Sequence, residues 1–315
     1  MNKMIKHPKQ PKSLVAFVLG FTLSVAGILT GLAANVDAQE SQALHFLDLN
    51  ITQVGNGGDL LFIPGLNSSA DTFNEVCDAF TQTHRCHLLQ LPGFAGAPPL
   101  QNVEDGFLPT INEQILAYIK QEKLNKPIIV GHSLGGFVAL QIAISNPEDV
   151  GALVIVDSLP FLPGVQFPGA TVERMQSIAT NMKKMMLVPS DEQYIQRLPQ
   201  QLMGMTRDNE HLQTLVEWSK TSDRLTMAQA MYELQTTDLR QDIASIKVPT
   251  IVFGAWAAYE NFGTTKAMTE QTFATQYQAL KNKNIHVSDS SYHFIMWDDK
   301  EWLLDLMGDF LAANK

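Results

Sequence analysis

The sequence predicts an α/β protein: a mostly parallel, twisted sheet with helices on both faces and a helical segment inserted before its last strands. From residue 60 to residue 156, short continuous apolar runs alternate with longer amphipathic segments, as in a parallel sheet with crossover helices. The alternation stops at 158–246, where only helical patterns and Pro/Gly punctuation occur. An apolar strand run returns at 250–253.

The elements of the first half follow from their local patterns. Residues 44–54 are predicted to form one edge strand or two short strands. Leu60 to Ile63 is continuously apolar, as expected of a strand buried on both faces, and it ends at Pro64-Gly65. Residues 70–82 are predicted to be helical because their apolar side chains fall on one helical face: Phe73, Val76, Cys77 and Phe80.

The remaining elements continue the same rhythm. Further buried strands are predicted at 87–91, 127–130, 152–156 and 250–253, and a weaker strand at 284–287. Amphipathic or apolar helices are predicted at 108–122, 134–145 and 300–313. The sheet domain is therefore expected to comprise residues 39–157 and 247–315, with a helical insertion at 158–246. The insertion is rich in methionine, and two interpretations are open for these side chains: its own core or an adaptable apolar pocket.

The N-terminus has the three parts of an export signal. Residues 1–12 carry four lysines and no acid, residues 14–34 are uncharged and mostly apolar, and Val36-Asp37-Ala38 is a small-x-small cleavage pattern. We predict a signal peptide at 1–38, cleaved after Ala38, and a periplasmic or secreted protein. The alternative is an uncleaved membrane anchor, since the apolar run is long enough to span a bilayer.

Composition excludes several classes of protein. The chain of 315 residues is 45% hydrophobic and 17% charged, which rules out a disordered or collagenous chain. Its formal charge of −10 makes nucleic acid an improbable partner. Two cysteines cannot form a Cys-rich metal site, and no other ligand cluster is visible. In an oxidising compartment Cys77 and Cys86 are predicted to form a disulfide, the alternative being two unrelated buried thiols.

The strongest motif is Gly131-His132-Ser133-Leu134-Gly135, which directly follows one predicted strand and directly precedes a helix. This is the G-x-S-x-G nucleophile elbow in its required context. Ser133 is placed on a tight turn, and the flanking glycines leave space for neighbouring backbone. The helix aims its N-terminus at the serine, where its amides can stabilise a developing oxyanion.

A serine needs a base, and His293 is the predicted one. Of the eight histidines it alone follows the last weak strand, where the third member of a Ser…acid…His chain order belongs. His132, beside the serine, should point away from it. For the oxyanion hole, the backbone amides of Leu66 and Leu134 are the candidate donors, because Leu66 follows the first long buried strand and Gly65 leaves room for substrate.

At this point the chain resembles the α/β-hydrolase superfamily over about residues 45–315. More narrowly, it is similar to a group of exported bacterial hydrolases of this fold, through CHLLQLPGFAG (86–96), VDSLPFLP (156–163) and HFIMWDD (293–299). The resemblance implies that the insertion is a cap domain. Two departures stand out. Pro64 replaces a histidine common in the oxyanion loop, and the loop after Gly254, the usual place of the acid, contains no Asp.

Four residues compete for the acid. Asp289 is too close to His293 in sequence to brace its ring, and Asp238 fits a helix N-cap. Glu260 lies in the loop that usually carries the acid, but three residues after the position of the family's acid. Asp157 directly follows the strand 152–156, and the carboxyl ends of parallel strands open on one edge of the sheet. Some α/β-hydrolases carry their acid at that strand end, so we predict Asp157, with Glu260 as the alternative.

Together these residues predict a serine hydrolase that cleaves a carboxylic ester through an acyl-enzyme, with Ser133, His293 and Asp157 as its triad. Lactones or thioesters are alternative substrates. A catalytically idle, ligand-binding member of the same fold is the alternative of another class. A serine at position 133 argues against the Asp-nucleophile branches of this fold. We expect no metal or organic cofactor, and a small apolar acyl compound as substrate.

Overall fold

The structure, a computed structural model, describes residues 41–167 and 169–314. The predicted signal peptide and its cleavage after Ala38 lie outside these residues. The strands are β1 (Gln42–Phe46), β2 (Leu49–Gly55), β3 (Gly58–Ile63), β4 (His84–Gln90), β5 (Ile128–His132), β6 (Ala152–Val156), β7 (Thr250–Gly254) and β8 (Lys283–Val287). No helix within the described ranges has the length and apolar character needed to cross a bilayer.

The α-helices flank and interrupt these strands. Those that accompany the sheet are α1 (Asn74–Phe80), α2 (Phe107–Gln121), α3 (Leu134–Ser145), α9 (Lys266–Gln276), α10 (Ile295–Asp298) and α11 (Lys300–Ala313). Between β6 and β7 the chain forms α4 (Pro163–Gln166), α5 (Val172–Leu187), α6 (Asp191–Gln201), α7 (Asn209–Thr221) and α8 (Arg224–Thr236). Short 3-10 helices lie at Ala70–Phe73, Val103–Asp105, Asp242–Ser245 and Ala257–Phe262.

All eight strands form one sheet in the order β1-β2-β4-β3-β5-β6-β7-β8. β2 pairs antiparallel with β1 and β4, and every other pair is parallel. The predicted mostly parallel α/β fold is therefore confirmed. Since parallel strands share a direction, the carboxyl ends of β3, β5, β6, β7 and β8 lie along one edge, where a site in such a sheet is built.

Residues Leu60 to Ile63 of β3 are all apolar because both faces of this strand are buried. Leu60 and Phe62 pack into one apolar cluster with α1 and α11, whereas Leu61 and Ile63 pack into another with α2 and α3. Successive side chains of a strand point to opposite faces of the sheet. Both faces are covered by helices, so every position must be apolar.

The predicted disulfide is wrong in this structure: Cys77 and Cys86 are free, buried thiols. Cys77 lies on α1 and Cys86 on β4, in the same apolar cluster. Packing directs the Cys86 thiol at the main-chain carbonyl of Cys77, with Sγ 3.6 Å from the oxygen. The contact with Cys77, together with burial, raises the pKa of the Cys86 thiol, which keeps it protonated and unreactive.

Candidate active site

Ser133 occupies a strained turn between β5 and α3. Its backbone angles are φ 52° and ψ −118°, in a region that residues other than glycine rarely adopt. The Ser133 amide donates a hydrogen bond to the carbonyl of Val156 on β6, at 2.9 Å. The turn is thereby fixed to the neighbouring strand, and the serine is held at the carboxyl edge of the sheet.

Both glycines of the motif are required because backbone atoms occupy the space that a side chain would need. A Cβ atom on Gly131 would overlap the carbonyl oxygen of Gly135, and one on Gly135 would overlap the carbonyl oxygen of Ile63. Backbone atoms cannot move aside as the end of a flexible side chain can. The close packing of α3 on β5 and β3 therefore requires glycine at both ends of the G-x-S-x-G motif.

We expect Gly135→Ala to lower the free energy of unfolding by about 3 kcal/mol, since an added methyl group collides with the β3 backbone. The melting temperature should fall by roughly 5–10 °C. Gly308→Ala in α11 is the matched control: its nearest neighbour would be a Phe80 ring carbon at 3.9 Å. The control should be neutral or stabilising by up to about 1 kcal/mol. Equal melting temperatures for both variants would contradict the packing argument.

Asp157 and His293 are in direct contact. Asp157 directly follows β6, and its Oδ2 lies 2.6 Å from Nδ1 of His293. Its Oδ1 accepts a hydrogen bond from the Ala255 amide at 2.9 Å, and its own amide donates to the Phe253 carbonyl at 2.8 Å. Both side chains are mostly buried, 12% exposed for Asp157 and 23% for His293. The carboxylate is thus fixed by β7 and can hold one imidazole orientation.

The competing acids have other surroundings. Asp289 forms an ion pair with Lys266 at 2.6 Å, and Asp238 forms one with Arg240. Glu260 lies exposed in the short helix Ala257–Phe262. Of the four candidates, the structure brings only Asp157 to His293. Asp238, expected to cap a helix, instead accepts hydrogen bonds from the backbone amide and the guanidinium of Arg240.

The loop that carries His293 is clamped by Asp298, a residue that sequence reasoning did not single out. The Asp298 carboxylate accepts hydrogen bonds from the Tyr292 amide at 2.8 Å, from Thr206 Oγ1 at 2.7 Å and from the Arg207 amide at 3.0 Å. Thr206 and Arg207 lie between α6 and α7. The inserted helical segment therefore holds the histidine loop from one side.

Asp299 completes the clamp from the other end of the loop. Its Oδ2 accepts a hydrogen bond from Ser288 Oγ at 2.6 Å. Ser288 Oγ in turn accepts from the amides of Ser290 and Ser291, at 3.1 and 3.0 Å. The two aspartates of the HFIMWDD segment thus fix the backbone that leads into the histidine. The only signal in the sequence was their place in that segment.

His132, next to Ser133 in the chain, makes contacts that the sequence did not predict. It is fully buried, and its Nε2–H donates to the carbonyl oxygen of His293 at 3.0 Å. Its ring centre lies 4.5 Å from that of His293 and 4.6 Å from that of Phe294. Burial, and then the nearby charge of His293, lower the pKa of the His132 imidazole well below its usual value. His132 is therefore a neutral donor that fixes the His293 backbone.

We expect His132→Phe to lower kcat about 10-fold with KM unchanged, because it keeps the ring contacts but removes the donor to His293. His132→Gln, which retains an N–H donor, should recover most of that loss. Phenylalanine also leaves the His293 carbonyl without this donor, so the free energy of unfolding should fall by about 1–2 kcal/mol. A kcat of His132→Gln as low as that of His132→Phe would indicate that the donor plays no part in catalysis.

The two segments that carry the predicted oxyanion donors both lie next to Ser133. Leu134 is the first residue of α3, so its amide has no acceptor within the helix. Leu66 lies in the loop after β3, which passes close to the elbow: a Cβ on Gly65 would come 3.2 Å from Cβ of Ser133. Gly65 therefore leaves the space between the loop and the serine open.

A cavity of about 340 Å³ is lined by Ser133, Leu134, Asp157 and His293. Leu66 is not among its lining residues. The rest of the lining comes from the segment after β6, from α8, and from the region of β7 to α9: Ser158, Leu159, Leu162, Val165, Leu234, Ala255, Tyr259, Thr264, Thr269, Thr272 and Phe273. None of the methionines of the insertion is among them; Met175 and Met227 are buried, whereas Met185 and Met203 are exposed.

The architecture matches that of a known protein family. A model of the family described as "Alpha/beta hydrolase family" matches residues 60–306. The chain belongs to the alpha/beta hydrolase family. The predicted resemblance to this superfamily is thereby confirmed. The match spans the elbow, the histidine loop and the inserted helices.

Individual relatives share between 15% and 28% of their residues with this chain over the aligned regions. A pimeloyl-[acyl-carrier protein] methyl ester esterase from Aeromonas hydrophila is 28% identical over 214 residues, which cover 66% of this chain and 80% of the relative. A 2-hydroxy-6-oxononadienedioate/2-hydroxy-6-oxononatrienedioate hydrolase from Pseudomonas putida is 22% identical over 84% of this chain and 92% of its own. Among solved structures, an esterase from Exiguobacterium antarcticum shares the fold, with a TM-score of 0.69 at 15% identity over 87% of this chain and all of its own.

Proposed function

We propose that this protein is a serine hydrolase that cleaves a carboxylic ester through an acyl-enzyme, with Ser133 as nucleophile, His293 as base and Asp157 as the supporting acid. The observation that carries the proposal is the 2.6 Å contact between Asp157 Oδ2 and His293 Nδ1, in the cavity that also contains Ser133. A carboxylate on Nδ1 holds the proton there, which leaves Nε2 free to accept one.

The steps follow from this arrangement. Ser133 Oγ attacks the ester carbonyl while His293 Nε2 takes its proton, and Asp157 stabilises the imidazolium that forms. The carbonyl oxygen becomes an oxyanion that accepts hydrogen bonds from the Leu66 and Leu134 amides. His293 then protonates the departing alcohol. In the second half of the reaction it activates a water molecule, which releases the acid and restores the serine.

The family and the relatives support an ester-type substrate. The relatives include proteins named as methyl ester esterases, whose substrates are acyl esters. A cavity of about 340 Å³ lies at the small end of the range for ligand pockets, which suits a small acyl compound. Its aliphatic wall, with Leu159, Leu162 and Val165, favours an apolar acyl chain.

A fluorophosphonate probe tests the proposal directly. The probe reacts only with an activated serine, so we expect one covalent adduct, mapped by mass spectrometry to the peptide containing Ser133. A panel of p-nitrophenyl esters of varied chain length, with lactones and thioesters alongside, identifies the preferred acyl bond. Binding of esters without labelling or turnover would instead favour a ligand-binding protein of this fold.

A further inference from the structure

We propose that the part of the substrate that enters the cavity is uncharged, and that the enzyme rejects acyl groups whose carboxylate would lie inside the cavity. The inference rests on the hydrolase function proposed above and extends it to a substrate class. It follows from the charges that line and border the cavity.

The cavity has one aliphatic wall and one hydroxyl-bearing wall. The first comes from the inserted segment, with Leu159, Leu162, Val165 and Leu234; the second comes from the β7–α9 region, with Tyr259, Thr264, Thr269 and Thr272. No lysine or arginine is among the described residues that line it. A carboxylate inside would therefore find hydroxyl donors but no cation.

Two cations that lie near the two walls, Arg240 and Lys266, already have anionic partners. Arg240 lies beside α4, with Nη1 3.4 Å from where a Cβ on Gly164 would lie, but its guanidinium is paired with the Asp238 carboxylate. The bond to Asp238 raises the pKa of Arg240, as expected of a guanidinium whose charge is already paired. Lys266, at the start of α9, lies 2.6 Å from a carboxylate oxygen of Asp289.

The charge already inside the cavity opposes a second anion. Asp157 is one of the lining residues, and it must stay ionised to support His293. A substrate carboxylate, ionised at neutral pH, would lose water and be repelled by Asp157 without gaining a counter-ion. Uncharged acyl groups incur neither penalty, and hydroxyl groups on the second wall accommodate their polar atoms.

A matched pair of esters tests the inference. p-Nitrophenyl hemiadipate and p-nitrophenyl 6-methylheptanoate have the same length and end in a carboxylate and in its isosteric isopropyl group, respectively. We expect kcat/KM for the hemiadipate to be lower by about 100-fold, the effect of an unpaired, partly desolvated charge. The Ser133→Ala protein supplies the background rate for each ester.

Two lysine variants on one helix locate the origin of the discrimination. Thr272 lines the cavity and Thr275 lies exposed one turn on; each hydroxyl donates to the carbonyl four residues earlier, at 2.9 and 2.8 Å. Thr272→Lys supplies a cation inside the cavity, so it should reduce the ratio of the kcat/KM values of the two esters at least 10-fold. Thr275→Lys changes the net charge equally and should leave the ratio as in the parent.

The outcomes separate this inference from the proposed function. Turnover of neither ester above the Ser133→Ala background means that the proposed serine hydrolase function is wrong. If the kcat/KM values of the two esters lie within about three-fold of each other, only the proposed exclusion of anionic acyl groups from the cavity is overturned. Equal effects of Thr272→Lys and Thr275→Lys would also overturn it, because the discrimination would then arise from the overall charge of the protein and not from the cavity.

Discussion

Replacing Ser133 with alanine is expected to reduce ester hydrolysis by roughly 10⁴-fold or more, since the acyl-enzyme cannot form without the nucleophile. The variant should still fold. The strain at this position lies in the backbone, at φ 52°, and alanine tolerates that conformation about as well as serine does. Initial rates with p-nitrophenyl esters, together with far-UV circular dichroism, measure both expectations.

Ser145→Ala is the matched control, because it removes a hydroxyl from the other end of the same helix. Ser145 Oγ donates only to the local carbonyls of Gln141 and Ile142, so its loss should leave kcat and fluorophosphonate labelling unchanged. Residual activity above a few per cent in Ser133→Ala would mean that another group is the nucleophile. Equal losses in both variants would point to a disturbed α3 instead of a lost nucleophile.

The sheet and the elbow could be predicted from sequence because their determinants are local. The run Pro127 to Val130 is apolar and directly precedes Gly131, so strand, turn and helix follow from neighbouring residues. Chain order then places His293 after the last strand. The parallel direction of the strands places Asp157 on the same edge as Ser133. Each inference needed only the order of elements along the chain.

Contacts between distant segments could not be predicted in this way. Asp298 accepts hydrogen bonds from Thr206 and Arg207, which lie more than 90 positions earlier in the chain. The donor role of His132 likewise depends on where the His293 carbonyl lies. The cysteines illustrate the same limit. Spacing predicted that Cys77 and Cys86 would be neighbours, but side-chain packing decides where each thiol points.

The identity of the acid has the second-largest expected effect. We expect Asp157→Asn to lower kcat by at least about 10²-fold while the fold is retained. An asparagine can still accept the hydrogen bond from the Ala255 amide, so the turn after β6 should persist. Its amide group, however, would donate to Nδ1 of His293. The imidazole proton would then reside on Nε2, which could no longer accept a proton from Ser133.

Glu260→Gln is the matched control, because it removes the same single negative charge from the loop where this family usually carries its acid. Glu260 is exposed, whereas Asp157 lies 2.6 Å from the imidazole, so the control should retain parental kcat. Steady-state rates and circular dichroism of the two variants, measured side by side, decide between the two acids.

A large loss of kcat in Glu260→Gln with none in Asp157→Asn would transfer the role to Glu260. Such a result would require the loop after β7 to close over His293 during turnover. Equal, small losses in both variants would mean that His293 acts without a carboxylate, which would contradict the proposed triad.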